Sequence, residues 1–168
     1  MFPTEIQLAI RKRLADTPYF ATTPAIPVIA RCQMDIVEAV NKAVGSIGIC
    51  VLVLPGKGKF ERHETPIPCI RGEYVIKVIE NIVINRTRGS GTMQPAEKVA
   101  WACAQRLWHF SPMHAETNTP LAGGHFILGE LETDIVKADG QEHLETWFSA
   151  TITGGDSEGL YGVALVRD

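Results

Sequence analysis

Residues 73–86, EYVIKVIENIVINR, form an almost unbroken run of Val and Ile. Alternate residues fall on opposite faces of a strand. One face reads Ile76, Val78, Glu80, Ile82 and Ile84, and the other Val75, Lys77, Ile79, Asn81 and Val83. Both are mostly apolar, so the segment must be covered on two sides, which predicts a central strand over 73–86. Glu80 is the exception, a carboxylate in the middle of an apolar run. A buried carboxylate needs a partner such as Lys77, an arginine or a neighbouring subunit. A glycine-bearing loop, TRGSGTM, follows. Pro95 then opens a helix whose buried stripe reads Val99, Ala100, Cys103, Leu107 and Trp108, with Pro112 as the stop.

The remaining elements follow from the same periodicities. Ile6, Ala9, Ile10 and Leu14 share one helical face. Thr4 and Gln7 fit a capping box at its start, and Pro18 ends the helix at or before Thr17. YFATTPAIP, with Pro24 and Pro27, reads as an extended connector. From Met34 to Val44 the apolar stripe is Ile36, Val37, Val40, Ala43 and Val44, with Gly45 as the expected C-terminal cap. ICVLVL, between Gly48 and Pro55, is a buried strand. Residues 56–72, GKGKFERHETPIPCIRG, form a basic loop or protruding hairpin arm. After His125 come two strands joined at Asp139-Gly140, a strong hairpin signal. In the first, Ile127, Leu131 and Ile135 are expected to face in and Glu130, Glu132 and Asp134 out. In the second, Leu144, Thr146, Phe148, Ala150 and Ile152 share a face. Residues 154–168 are expected to be a flexible C-terminal segment, with Leu160–Val166 as a final strand or a tail that pairs with a neighbour. The order predicts a single α+β domain over 1–168: one mixed or antiparallel sheet of about four to five strands with about three helices packed on it.

Composition narrows the class. A chain of 168 residues with 45% hydrophobic and 21% charged residues is long and apolar enough to bury a core without metal or disulfide staples. The N-terminus lacks a signal-peptide pattern and no apolar run is long enough for a transmembrane helix, so no membrane partner is expected. Cys32, Cys50, Cys69 and Cys103 form no CxxC pair and read as free thiols. Charge is distributed unevenly. Residues 1–114 carry 14 Lys+Arg against 9 Asp+Glu, and residues 115–168 carry 2 against 10, so +5 and −8 make up the net −3. Such a chain can attract copies of itself head to tail, unless the two regions interleave on the folded surface.

No residue pattern supplies a catalytic signature. His109 and His114, with His125 nearby, could suggest zinc, but Pro112 denies the first two a common helix face, and no metal is expected. Cys103 on an apolar stripe is an inert thiol, and Cys69, with His63 and Arg71 near it, has no surrounding nucleophile signature. Gly56-Lys57-Gly58-Lys59 and Arg88-Gly89-Ser90-Gly91 lack phosphate-loop spacing. Lys57, Lys59, Arg62, Arg71, Arg86 and Arg88 could attract phosphate, but interleaved stacking aromatics are missing, so a solvated or partner-facing basic arm is expected rather than a nucleic-acid platform.

The strand VIKVIENIVINR, the RGSGTMQPAE lead-in to a helix, the earlier helix MDIVEAVNKAV with its ICVLVL strand, and the hairpin after His125 together resemble the tail terminator, or minor tail protein U-like, proteins of tailed bacteriophages. The likeness covers roughly residues 5 to 153 as an order of elements. It implies a non-enzymatic, cofactor-free α+β subunit that forms a ring, typically a hexamer, at the end of the tail tube. Such a subunit stops tube growth and offers a surface to head–tail connector proteins. It would be found in the host cytoplasm during assembly and then in the virion tail or neck. On this reading the basic arm at 56–72 and the acidic hairpin at 129–145 make ring and tube contacts, through Lys57, Lys59, Arg62, Arg71, Arg86 and Arg88 on one side and Glu130, Glu132 and Asp134 on the other. Two alternatives predict different surfaces. A small ligand-binding or enzymatic domain needs a deep pocket near His109, His114 and Cys103. A nucleic-acid adaptor needs a continuous basic face.

Overall fold

A computed structural model describes residues 3–22, 24–31, 35–61, 69–87, 91–114, 117–122, 124–138 and 140–153. Its helices are α1 (Pro3–Ala15), α2 (Pro18–Ala21), α3 (Ile36–Ser46), α4 (Ile82–Thr87) and α5 (Ala96–Leu107). Its strands are β1 (Val28–Ala30), β2 (Ile49–Glu61), β3 (Cys69–Asn81), β4 (Ile127–Leu128), β5 (Glu132–Ala138) and β6 (Gln141–Thr153). They make one mixed sheet in the order β1-β2-β3-β6-β4, with β5 also paired to β6. Only β1–β2 is parallel. The fold is therefore α+β, and the three expected helices are α1, α3 and α5.

The sheet has a thick side and a thin side. On the thick side, α1 contributes Ile6, Ile10 and Leu14, and α5 contributes Val99, Ala100, Cys103 and Leu107. They pack on Val51, Val53, Ile76, Val78, Phe148, Ala150 and Ile152 of the central strands. On the thin side, Ala43 and Val44 of α3 cover Ile29, Cys50, Leu52 and Ile79. The alternation of β3 and β6 puts Ile76, Val78 and Glu80 and their partners Phe148, Thr146 and Leu144 on the thick side. Beyond the reach of α3 the thin side becomes polar: Lys77 pairs with Glu145 at 2.6 Å and lies over the Trp147 ring.

Several local expectations need correction. The central strand begins at Cys69 and ends at Asn81, and IVINRT turns into α4. Asn81 causes the turn, because its Oδ1 accepts a hydrogen bond from the backbone N–H of Ile84 at 3.1 Å, as a helix cap does. The supposed connector YFATTPAIP begins inside α2 and leads directly into β1, which gains strand pairing from β2 and a hydrogen bond from Arg11 Nε to the Val28 carbonyl. α1 starts at Pro3, ahead of Thr4, and Gln7 Oε1 is buried without a hydrogen-bond partner among the described residues, so Gln7 does not close the capping box. α3 passes through Gly45 and ends at Ser46, and its first apolar residue after Ile36, Val37, is exposed. Ile127, Leu131 and Ile135 are exposed rather than inward-facing, because they lie on the β4–β5 edge, which no helix covers among the described residues. Residues 154–168, including the expected strand at Leu160–Val166, lie outside the described residues.

The joint between β3 and α5 is built around Glu80 and Asn85, both wholly buried. Glu80 accepts hydrogen bonds from Arg86 Nε and Asn85 Nδ2, each at 2.7 Å, from Arg86 Nη2 at 3.0 Å, and from the Ala96 backbone N–H at 2.9 Å. That last bond puts a carboxylate at the N-terminus of α5, where the helix dipole favours negative charge. Asn85 also donates to the Gln94 carbonyl, and its Oδ1 accepts from the Thr92 N–H and hydroxyl. Gly48 and Gly91 close on the backbone of Asn85. A Cβ on Gly48 would lie 2.3 Å from Asn85 N, and one on Gly91 would lie 2.0 Å from Asn85 O. Gly48 also has φ +86°, in the left-handed region just past the end of α3.

Burial alone pushes the Glu80 carboxyl up, but the hydrogen bonds from Arg86, Asn85 and Ala96, with the Arg86 charge, outweigh it and hold the group below its ordinary value of 4.5. A carboxyl with a lowered folded value stabilises the fold above its unfolded pKa and loses that contribution as pH falls through the folded value. Wild type should therefore lose stability steeply in acid below about pH 4, while Glu80→Gln, weaker at neutral pH, shows a flatter dependence there. Removing one partner of a buried pair costs about 3–5 kcal/mol, so Glu80→Ala should lower the urea unfolding free energy by that amount at pH 7. Gly48→Ala should cost at least ~1 kcal/mol from backbone strain and collision with Asn85, measured by the same titration.

Candidate interaction surface

The structure divides the expected basic set. Lys57 and Lys59 are exposed on the distal half of β2. Arg71 lies directly across from Lys59 on β3. β2 and β3 pair from Ile49↔Glu80 to Glu61↔Cys69, so 56–61 and 69–72 are a continuation of the sheet. Arg86 sits past the other end of β3, separated from Arg71 by the ten residue steps to Asn81, roughly 33 Å of strand at about 3.3 Å per residue. Its guanidinium is committed to Glu80, so it does not belong with the arm. Arg62 and Arg88 lie outside the described residues. The described basic residues thus do not share one face.

The acidic set holds together better. β4 and β5 both pair with the same side of β6, at Leu128↔Ala150 and Glu132↔Trp147. Between these pairs, Gly129, Glu130 and Leu131 oppose only Phe148 and Ser149, and Gly129 N–H donates to the Ser149 carbonyl at 2.8 Å. β4 and β5 are therefore one edge strand interrupted by a bulge, which bends an edge and redirects its side chains. Glu130, Glu132 and Asp134 are all exposed along it. Lys137, further down, turns to Glu142 at 3.4 Å.

Beside this edge lies a feature with no counterpart among the expected sites. The outer side of α5 and the bulged edge enclose an apolar groove of about 420 Å³. Trp101, Trp108, Leu128 and Leu131 line it over Phe148. Trp101 is 61% exposed and Trp108 63%. Trp108 was expected on the buried stripe, but it is the C-cap of α5, with a helical φ of −59° and its N–H bonded to the Ala104 carbonyl, and it falls on the outer face with Trp101. Two neighbouring exposed tryptophans are an unusual concentration of apolar surface for a chain that only needs to stay dissolved. Seven-residue spacing on one helix was the available signal, since it brings two side chains to nearly the same face.

The residues proposed for chemistry do not converge. His109 and His125 lie together, with ring centroids 4.6 Å apart, whereas His114 turns to Glu5 on α1 at 3.8 Å. Among the described residues, no group of three or more His, Cys, Asp or Glu is arranged to hold a metal ion. Cys103 and Cys50 are wholly buried; desolvation raises both thiols, Cys50 to about 12, which keeps them protonated. The side chain of Cys69 and all of Cys32 lie outside the described residues. No described helix is long and apolar enough to cross a membrane.

No family model and no curated protein matches the sequence. One solved structure covers 90% of this chain and 96% of its own length, at 18% identity and a TM-score of 0.48, a likeness too distant to bear on function.

The groove gives a direct expectation. Replacing Trp101 and Trp108 together by Ser should shift unfolding free energy by no more than about 0.5 kcal/mol per site, as for surface positions. The same variant should lose most of the fluorescence enhancement of an apolar dye such as ANS, because the exposed apolar wall is gone.

Proposed function

We propose that this protein is a non-enzymatic phage or prophage structural subunit that acts in virion assembly, as a ring-forming tail terminator or tail-completion protein. Its partners are further copies of itself, the tail tube and head–tail connector proteins. What supports this reading is the resemblance of the element order over residues 5 to 153, together with one feature of the surface: the Trp101–Trp108 groove beside an uncovered sheet edge. Buried apolar anchors flanked by polar rims are what protein–protein docking uses. Tryptophan is the residue most enriched among such anchors. The groove is also where a ring subunit needs one, at the side of the sheet rather than in an enclosed cavity. The exposed acidic residues Glu130, Glu132 and Asp134 lie along the neighbouring edge and favour a basic partner there.

Light scattering on the purified chain, followed by negative-stain electron microscopy with and without tail tubes, tests the reading. The expected result is a concentration-dependent ring that caps tube ends. A strict monomer at every concentration, which also leaves tubes bare, overturns it.

A further inference from the structure

Among the unpaired edge segments of the described sheet, two carry opposite charges. On one side, β1 pairs with β2 only at Val51, Leu52 and Val53. From Leu54 to Glu61, the outer edge of β2 has no strand beside it among the described residues. On the other side, β5 pairs with β6 alone, so the outer edge of Glu132–Ala138 is likewise unpaired among the described residues. The two segments match in length: β5 has 7 residues, and the free part of β2 is of about the same extent. The first carries Lys57 and Lys59, two residues apart, and the second Glu132 and Asp134, also two residues apart, with Glu130 just before them.

The strand directions allow the two edges to meet. β3 is antiparallel to β2, β6 is antiparallel to β3, and β5 is antiparallel to β6. β2 and β5 therefore run in opposite directions. A second copy in the same orientation, displaced along the strands by the six residues that separate Arg71 (across from Lys59) from Lys77 (level with Glu132), roughly 20 Å at about 3.3 Å per residue, brings its distal β2 edge antiparallel to the first copy's β5 edge. We infer that copies of this chain join by pairing the β5 edge of one with the distal β2 edge of the next, Lys57 and Lys59 lying against Glu132 and Asp134. This rests on the proposed self-assembling role and specifies the contact. Pairing is heterologous, because each copy uses a different edge on each side, and such contacts close into rings when the rotation between copies allows.

The charges also explain why only this pairing forms. An open edge accepts almost any strand unless charge, proline or a bulge prevents it. Both edges here carry such features: β2 has Pro55 and a register shift between Pro55 and Gly58, and β5 follows the Gly129–Leu131 bulge. Two β5 edges would set carboxylates against carboxylates, and two β2 edges lysines against lysines. Like charges directly opposite are unfavourable and unlike charges favourable. The same side chains thus block symmetric dimers and permit head-to-tail joining. The Trp101–Trp108 groove adjoins the β5 edge, so a strand added there also covers apolar surface.

Reciprocal charge reversal tests this. Lys57→Glu with Lys59→Glu makes both edges acidic, and Glu132→Lys with Asp134→Lys makes both edges basic. Each variant should remain folded, with an unfolding midpoint near that of wild type, yet stay monomeric at concentrations at which wild type assembles. An equimolar mixture of the two should co-assemble, and the chain carrying all four substitutions should assemble alone. Co-assembly in the mixture shows that both variants are folded. Assembly of either variant alone, or failure of the mixture while wild type assembles, overturns this contact and leaves the assembly role standing. A wild type that never assembles overturns both.

Discussion

A single buried carboxylate organises this fold. Glu80 lies where the central strand ends, and its charge would be untenable there without the four hydrogen bonds it receives. Those bonds link three pieces of chain: the strand itself, the short helix carrying Asn85 and Arg86, and the first turn of α5 at Ala96. Asn85 extends the linkage to the Thr92–Gln94 segment, and Gly48 lets the end of α3 approach the same point. The orientation of α5, and with it the position of Trp101, depends on this joint. The apolar groove is thus fixed from inside the molecule.

Everything beyond the joint follows from unequal coverage of one sheet. α1 and α5 cover the central strands on the thick side, while α3 covers only part of the other. The strands at both flanks extend past the helices. A sheet in that state must either neutralise its edges or use them. Charged side chains, a proline and two irregularities lie at the edges described here, and exposed Ile127, Leu131 and Ile135 lie beside them. Apolar exposure and edge charges thus lie side by side on one flank of the sheet.

The uneven charge of the sequence has a partial spatial counterpart. Glu130, Glu132 and Asp134 remain adjacent, because consecutive positions on one strand stay adjacent in any fold. The basic residues are dispersed, because β3 carries the chain from Arg71 to Asn81 before Arg86 appears. Arg86 then serves Glu80, six positions earlier. A cluster defined by nearness in sequence survives folding within one element and is broken by an intervening strand.

The sequence by itself determined the α+β class, the central position of the Val/Ile-rich strand, the helical stripes of α1 and α5, and the inward face of β6. Each depends on a local period of side chains that one burial direction must satisfy. It also required a partner for Glu80, since an isolated buried charge is too costly in any fold. It took the folded chain to settle that Arg86 is that partner, that IVINRT is helical, that Val28–Ala30 is a strand, and that Ile135 faces outward. The turn into IVINRT depends on a local cap from Asn81 that overrides the strand pattern, and the other outcomes depend on tertiary contacts: a strand beside β1 and, among the described residues, no layer over β5. Local propensity carries no information about which surface another part of the chain will cover.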